Sequence, residues 1–212
     1  MCEIAILGTN HEPAQLAGYS IDIYNSMRSS LGVMSVFDGG GSFEYEMFKR
    51  LDPDVDPLIN YYTENDDALF HIIHGRMATH GAVTQENQHP LQIDCDECGV
   101  DHVIHNGVVA GWRELRDAHE YSEHDYSSEV DSEAIAHEYG DVPDQIEETT
   151  EQMRRFSYQP AYLLLNEDRI FIHSSGHSYH LTDKPRMAKP RRPFGPDYRE
   201  DDYNIVLVTP NA

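Results

Sequence analysis

Lysine is nearly missing from this chain: three residues, against twelve arginines, in 212 positions. Cysteine also occurs only three times, an odd number that builds no disulfide framework and fits a reducing compartment. No apolar run approaches the roughly 18 to 20 residues that a membrane-crossing helix needs. The N-terminus lacks the basic-then-apolar order of a secretory leader, so a cytoplasmic protein is expected. Positive charge is scarce overall, with 15 Lys plus Arg against 38 Asp plus Glu and a formal net charge of -23 at pH 7. Such a chain is repelled by phosphate backbones and anionic lipid, which excludes general nucleic-acid and membrane binding. What is present is enough to fold: 39% hydrophobic and 10% aromatic residues supply a core, so a wholly disordered acidic tail is excluded.

The acidity has a composition and a location. Twenty of the carboxylates are Asp, and Asp excess with Lys scarcity resembles halophilic proteins, whose self-repulsion is screened when the Debye length falls to about 3 Å near 1 M salt. Residues 51 to 150 hold 24 acids and three bases, and thirteen carboxylates lie between Arg116 and Arg154 with no Lys or Arg among them. By contrast, Lys184 to Arg192 places five positive charges in nine residues. That segment is either a docking element, for an acidic partner or the protein's own acidic face, or a solvated loop.

Periodicity places the elements. Met1 to Gly8 alternates as a strand, and Leu16, Tyr19, Ile23, Met27 and Leu31 share one face of a helix over Ala14 to Leu31, stopped by Gly32. A glycine turn at Gly39 to Gly41 follows. Strands are predicted at Asp67 to Met77, Val103 to Val109, Ala161 to Leu165 and Arg169 to Ser174, the last two joined through Asn166-Glu167-Asp168. Helices are predicted at Trp112 to Ala118, Asp131 to Tyr139 and Pro143 to Phe156. A Pro- and Arg-rich stretch at about 176 to 203 precedes a last strand at Asn204 to Val208. The order suggests a single α+β layered domain over 1 to 212. The thirteen histidines show no helix-spaced metal motif and read as mostly surface.

Cys2 directly follows the initiator methionine. Trimming Met1 leaves a cysteine with a free α-amine, and thiol and amine pKa values near 8.5 and 7.7 to 8.0 make proton transfer between them cost only about 1 kcal/mol. Such a residue can be nucleophile and base at once. Three further segments follow in order: His74-Gly75-Arg76-Met77-Ala78-Thr79-His80-Gly81 with Asn87-Gln88-His89-Pro90, then Val103-Ile104-His105-Asn106-Gly107, then Asp131-Ser132-Glu133-Ala134-Ile135-Ala136-His137. With Met1-Cys2-Glu3-Ile4 they resemble class II glutamine amidotransferases, which include the glutaminase domains of glucosamine-6-phosphate synthase and phosphoribosylpyrophosphate amidotransferase.

That resemblance implies an N-terminal-nucleophile hydrolase fold, a four-layer αββα sandwich of two mainly antiparallel sheets. It implies Cys2 as nucleophile toward the side-chain amide of L-glutamine, passing through a glutamyl thioester and releasing ammonia. Asn106 and the Gly107 N–H would form the oxyanion hole, Arg76 would clamp the substrate α-carboxylate, Asp131 would take its α-ammonium, and Thr79 and His80 would line the pocket. Taken singly, each has a plainer reading. Arg76 could be a surface arginine, His80-Gly81 a turn, Asn106-Gly107 a type I′ hairpin turn and Asp131 a helix N-cap. Their joint order carries the resemblance.

Three positions depart from the family pattern: Cys2-Glu3-Ile4 replaces Cys-Gly-Ile, Met77 replaces an aromatic residue, and the nearest match to the Arg-containing loop after the first helix, Val36 to Ser42, lacks the arginine. The resemblance implies no cofactor. Cys95 and Cys98 form a Cys-x-x-Cys; zinc needs four ligands and the sequence offers only His89 or His102 as helpers, so the pair reads either as free cysteines or as half of a shared metal site, and no metal is assigned. No synthase segment is expected after residue 212, so ammonia would pass to a separate acceptor subunit, or the chain would act alone or self-associate. The alternative is a non-catalytic structural or interaction protein that keeps the fold.

Overall fold

A computed structural model describes residues 2–96, 98–121, 124–141, 150, 151, 153, 155, 161–174, 180–182 and 205–208. Its elements run β1 (Glu3–Gly8), α1 (Pro13–Met27), β2 (Ser30–Asp38), β3 (Phe43–Arg50), α2 (Val55–Glu64), β4 (Phe70–Arg76), β5 (Leu91–Gln92), β6 (His102–Asn106), α3 (Trp112–Tyr121), α4 (Glu133–Asp141), β7 (Ala161–Leu165), β8 (Ile170–Ser174), β9 (His180–Thr182) and β10 (Ile205–Val208). They form two five-stranded sheets, ordered β3-β2-β4-β1-β9 and β10-β8-β7-β6-β5. All pairings are antiparallel except that of β1 with β9. Among the described residues, no helix is long and apolar enough to cross a membrane.

Strand alternation sorts the core into three layers. Ile4, Ile6, Met34, Val36 and Ile72 of the first sheet meet Ile104, Leu163, Leu165, Ile170 and Ile172 of the second, in a buried layer between the sheets. The intervening residues of the first sheet, Ala5, Leu7, Leu31, Val33 and Ile73, pack against Leu16, Ala17, Ile23 of α1 and Leu58, Tyr61, Tyr62 of α2. On the far side of the second sheet, Val103, Tyr162, Leu164 and Phe171 pack against Ile135, Ala136 and Tyr139 of α4 and against Met153. Helices outside two face-to-face antiparallel sheets give the αββα order that the resemblance implies.

The first helix is shorter than its periodicity suggests. Arg28 takes a left-handed conformation (φ 65°) and its N–H closes on the Tyr24 carbonyl at 2.6 Å, ending α1 there. Leu31 and Gly32 belong instead to β2, where a β-carbon on Gly32 would lie 1.7 Å from the carbonyl oxygen of His89. Gly32 is therefore required by close approach of another backbone, not by a helix stop. The loop that follows α1 is Arg28-Ser29 and does contain an arginine, while Val36 to Ser42 is the end of β2 and its turn into β3. Strands β2 and β3 and helix α2 were not legible as such in the sequence.

The histidines are also placed differently from the surface expectation: ten of those whose burial is described are buried, and His80 is half-buried. Burial pushes His71 down to about 4 and His74 to about 3, so both are neutral imidazoles that a core can accept. They are hydrogen-bonded as such, His71 Nδ1 to Ser35 Oγ at 2.9 Å and His74 Nε2 to the His105 carbonyl at 3.1 Å. The Asn166 turn joins β7 to β8 as predicted, with its Oδ1 accepting from the Asp168 and Arg169 N–H groups. Of the helix predicted at Pro143 to Phe156, only Thr150, Glu151, Met153 and Arg155 are described, all helical. The basic run Lys184 to Arg192 lies outside the described residues.

Candidate active site

Cys2 immediately precedes β1, which pairs with β4 so that Glu3 stands opposite Gly75. This register sets Cys2 beside the end of β4: its sulfur accepts the Met77 N–H at 3.4 Å and lies 3.7 Å from the Met77 carbonyl. Burial pushes the thiol above its ordinary value, against the opposing pull of the Met77 N–H and the Arg76 charge, and Asp131 pushes it further up. Arg76 and Asp131 thus both act electrostatically on the same sulfur, although they are 55 positions apart in the chain.

Arg76 is not a surface arginine. It is 2% exposed, and its guanidinium donates to the carbonyls of His80 (2.6 Å), Ala82 (3.0 Å) and Gly81 (3.5 Å). These bonds hold the loop after β4 in place and leave two of the five guanidinium donors uncommitted among the described residues. Asn87 and Glu129 brace that loop from outside. Asn87 Nδ2 donates to the Ala82 carbonyl at 3.2 Å, and the Glu129 N–H donates to Asn87 Oδ1 at 3.0 Å. Gly81 has φ 72°, and a β-carbon there would sit 3.1 Å from the Glu129 carbonyl oxygen, so the turn needs glycine.

Asp131 lies just before α4 and is buried, with Oδ2 accepting the Val109 N–H at 2.7 Å and His80 Nδ1 3.6 Å away. Burial outweighs these partners and lifts its carboxyl above the usual range. Its carboxylate is thus directed at the segment after β6 and not back onto its own helix as a cap. Asn106 ends β6, where it pairs with Ala161 of β7, so Asn106-Gly107 is not a hairpin turn. The Oδ1 atom of Asn106 is buried and makes no hydrogen bond among the described residues. His105 bonds Ser132 Oγ at 2.9 Å, and its carbonyl meets His74 of β4, so the ends of β4 and β6 and the start of α4 are tied together here. His80 is half-buried with its ring edge-on to Trp112, centroids 6.0 Å apart. Thr79 is exposed. Asn87 belongs to a segment that carries the resemblance, although no role was read for it from sequence; Glu129 and Trp112 were not singled out, and nothing in their local pattern marks them.

Two buried sheets with helices on both outer faces and a cysteine leading the interior strand β1 give a sandwich of the N-terminal-nucleophile hydrolase type. No family profile matches the chain. A glutamine–fructose-6-phosphate aminotransferase (isomerizing) of Thermotoga maritima is 44% identical over 73 residues, 34% of this chain and 12% of that protein. The corresponding protein of Sulfurisphaera tokodaii is 30% identical over 141 residues, 65% of this chain and 23% of its own length. Among solved structures, the glutamine phosphoribosylpyrophosphate amidotransferase of B. subtilis, complexed with ADP and GMP, superposes with a TM-score of 0.56 at 17% identity, covering 82% of this chain and 37% of that one. In these stretches of sequence and in fold the chain is similar to class II glutamine amidotransferases, and it spans less than a quarter of the length of these two curated relatives.

Proposed function

We propose that the chain hydrolyses the side-chain amide of L-glutamine to glutamate and ammonia, with Cys2 as nucleophile. The observation that supports this most directly is the convergence of a buried cation, Arg76, and a buried carboxylate, Asp131, on the Cys2 sulfur. A free amino acid carries one charge of each sign at its α-carbon, so a cation and an anion near one thiol can take the α-carboxylate and α-ammonium while the side-chain amide reaches the sulfur.

After removal of Met1, the Cys2 α-amine takes the thiol proton and the sulfur attacks the amide carbon of glutamine. The Asn106 amide and the Gly107 N–H stabilise the oxyanion. The ammonium form of the amine returns its proton to the departing nitrogen, releasing ammonia and leaving the glutamyl thioester. Water then cleaves the thioester, its proton going back through the amine to the sulfur. His80 holds Asp131 in place for the substrate ammonium, and Thr79 stands at the mouth. The ammonia is used by an acceptor site on a partner subunit or further domain, in keeping with the relatives' names.

Ammonia release from glutamine is the test, comparing wild type with Cys2→Ala. Activity in the wild type and none in the variant is expected. Equal release from both would remove the mechanism, and an intact mass retaining Met1 in an active preparation would remove the α-amine as base. Asn106→Ala is expected to lower kcat by about 10²- to 10³-fold, the usual cost of one oxyanion donor.

A further inference from the structure

A second cluster of reactive groups lies away from Cys2, behind α4. Cys95 and Cys98 come from the loop after β5, His124 from the segment after α3, and His137 from α4. Their ligating atoms all lie within 4.8 Å of one another, Cys95 half-buried and the other three buried. His124 Nδ1 is 3.3 Å from both sulfurs and 3.4 Å from His137 Nδ1, and His137 Nδ1 is 3.0 Å from the Cys98 sulfur. In this structure the two sulfurs are bonded to each other as a disulfide. His89 and His102 are not in this group. His89 packs tilted against His74, and His102 meets Tyr45 edge-on.

We propose that, with the two thiols reduced, these four residues bind one zinc ion. A ring nitrogen carries one lone pair or one proton and can satisfy one neighbour, not the three that crowd His124 Nδ1. A single cation at the centre satisfies all four atoms. Tetrahedral zinc with bonds of about 2.3 Å to sulfur and 2.0 to 2.1 Å to nitrogen sets N···N near 3.3 Å and S···N near 3.5 Å, against the 3.4 Å and 3.0 to 3.3 Å found here, and sets S···S at about 3.8 Å, which the sulfurs reach by parting once the Cys95–Cys98 disulfide is reduced. Two thiolates and two imidazoles form a Cys2His2 set of the kind that selects zinc among common divalent ions. Binding displaces the two thiol protons, so the ion's charge is balanced by two thiolates.

The outer shell fits as well. His137 Nε2 points to Glu133 Oε1 at 3.6 Å, and Glu133 is itself anchored by the Ser127 and Ser128 N–H groups, each at 2.7 Å. A carboxylate behind a ligating imidazole fixes its tautomer and raises its basicity. Gly140 lets α4 press onto the loop: a β-carbon there would lie 2.7 Å from Cys98 Cα. Zinc would therefore pin the Cys95–Cys98 loop and the His124 segment to α4, and α4 begins two residues after Asp131. It stabilises the stretch in which carboxylates have no Lys or Arg among them.

The test uses full-length protein purified with reductant and no chelator. Elemental analysis is expected to give one zinc per chain. After chelation and anaerobic desalting, Co(II) alone should titrate to one equivalent with the intense visible bands of tetrahedral thiolate coordination. His124→Ala and His137→Ala should each weaken Co(II) binding at least tenfold. Cys2→Ala should leave it unchanged, which separates this site from the glutaminase proposal. No zinc in the wild type together with no tetrahedral Co(II) spectrum from the reduced protein overturns the proposal, and neither reading depends on a variant that folds.

Discussion

Acid should destabilise this protein through its buried imidazoles, and His74 isolates the effect. It is fully buried, and burial, reinforced by the Arg76 charge and only partly offset by its bond to the His105 carbonyl, pushes it down to about 3. In the unfolded chain the same group titrates near 6.5. The unfolded state therefore takes up the proton first. Its contribution is complete above about pH 6.5, declines as the pH falls and levels off below about 3. Each unit of separation is worth 1.36 kcal/mol, so between pH 7 and pH 5 this one histidine removes about 2 kcal/mol. With a urea dependence of roughly 1 to 3 kcal/mol/M for a domain of this kind, the midpoint falls by about 1 M from this group alone. Total stability includes other titrations and the relief of self-repulsion, so the comparison is with His74→Gln, which keeps an N–H donor and cannot be protonated. Urea unfolding at the two pH values should show wild type losing about 2 kcal/mol more than the variant. Equal losses would refute the assignment of His74 as a buried neutral imidazole, whatever the variant's absolute stability.

Gly32→Ala places a methyl group 1.7 Å from the His89 carbonyl oxygen and should cost about 3 kcal/mol or more, since a backbone cannot move aside as a side chain can. Gly18→Ala, on an open part of α1 with nothing within 4 Å, should instead gain up to about 1 kcal/mol from helix propensity; chemical denaturation reads both. Tyr62→Phe removes the 2.6 Å bond to Ser20 Oγ that joins α1 to α2 in a buried setting, with an expected loss of about 1 kcal/mol because Ser20 keeps the Leu16 carbonyl. Arg76→Lys keeps the charge but loses the planar fork. Steady-state kinetics should show KM for glutamine raised by roughly 10- to 100-fold with a smaller change in kcat, and an unchanged KM would remove Arg76 as the carboxylate clamp.

The sequence by itself determined several of the strands and the short motifs. Alternation at Met1 to Gly8 and apolar segments at Ala161 to Leu165 and Arg169 to Ser174 located β1, β7 and β8, and the resemblance carried by the ordered Cys2, Arg76, Asn106 and Asp131 segments implied the αββα arrangement. Local pattern failed where packing between distant segments decides. Gly32 looked like the end of a helix, yet it is glycine because the His89 backbone passes within a β-carbon's reach. The histidines looked like surface residues because they are polar, but burial keeps His71 and His74 neutral and lets the sheet accept them. Cys95 and Cys98 showed half of a ligand set, and their partners His124 and His137 lie 26 and 39 positions from Cys98, with no spacing to connect them. Only the tertiary structure brings α4 across the loop, because ligand geometry depends on distances in space that a linear chain does not encode.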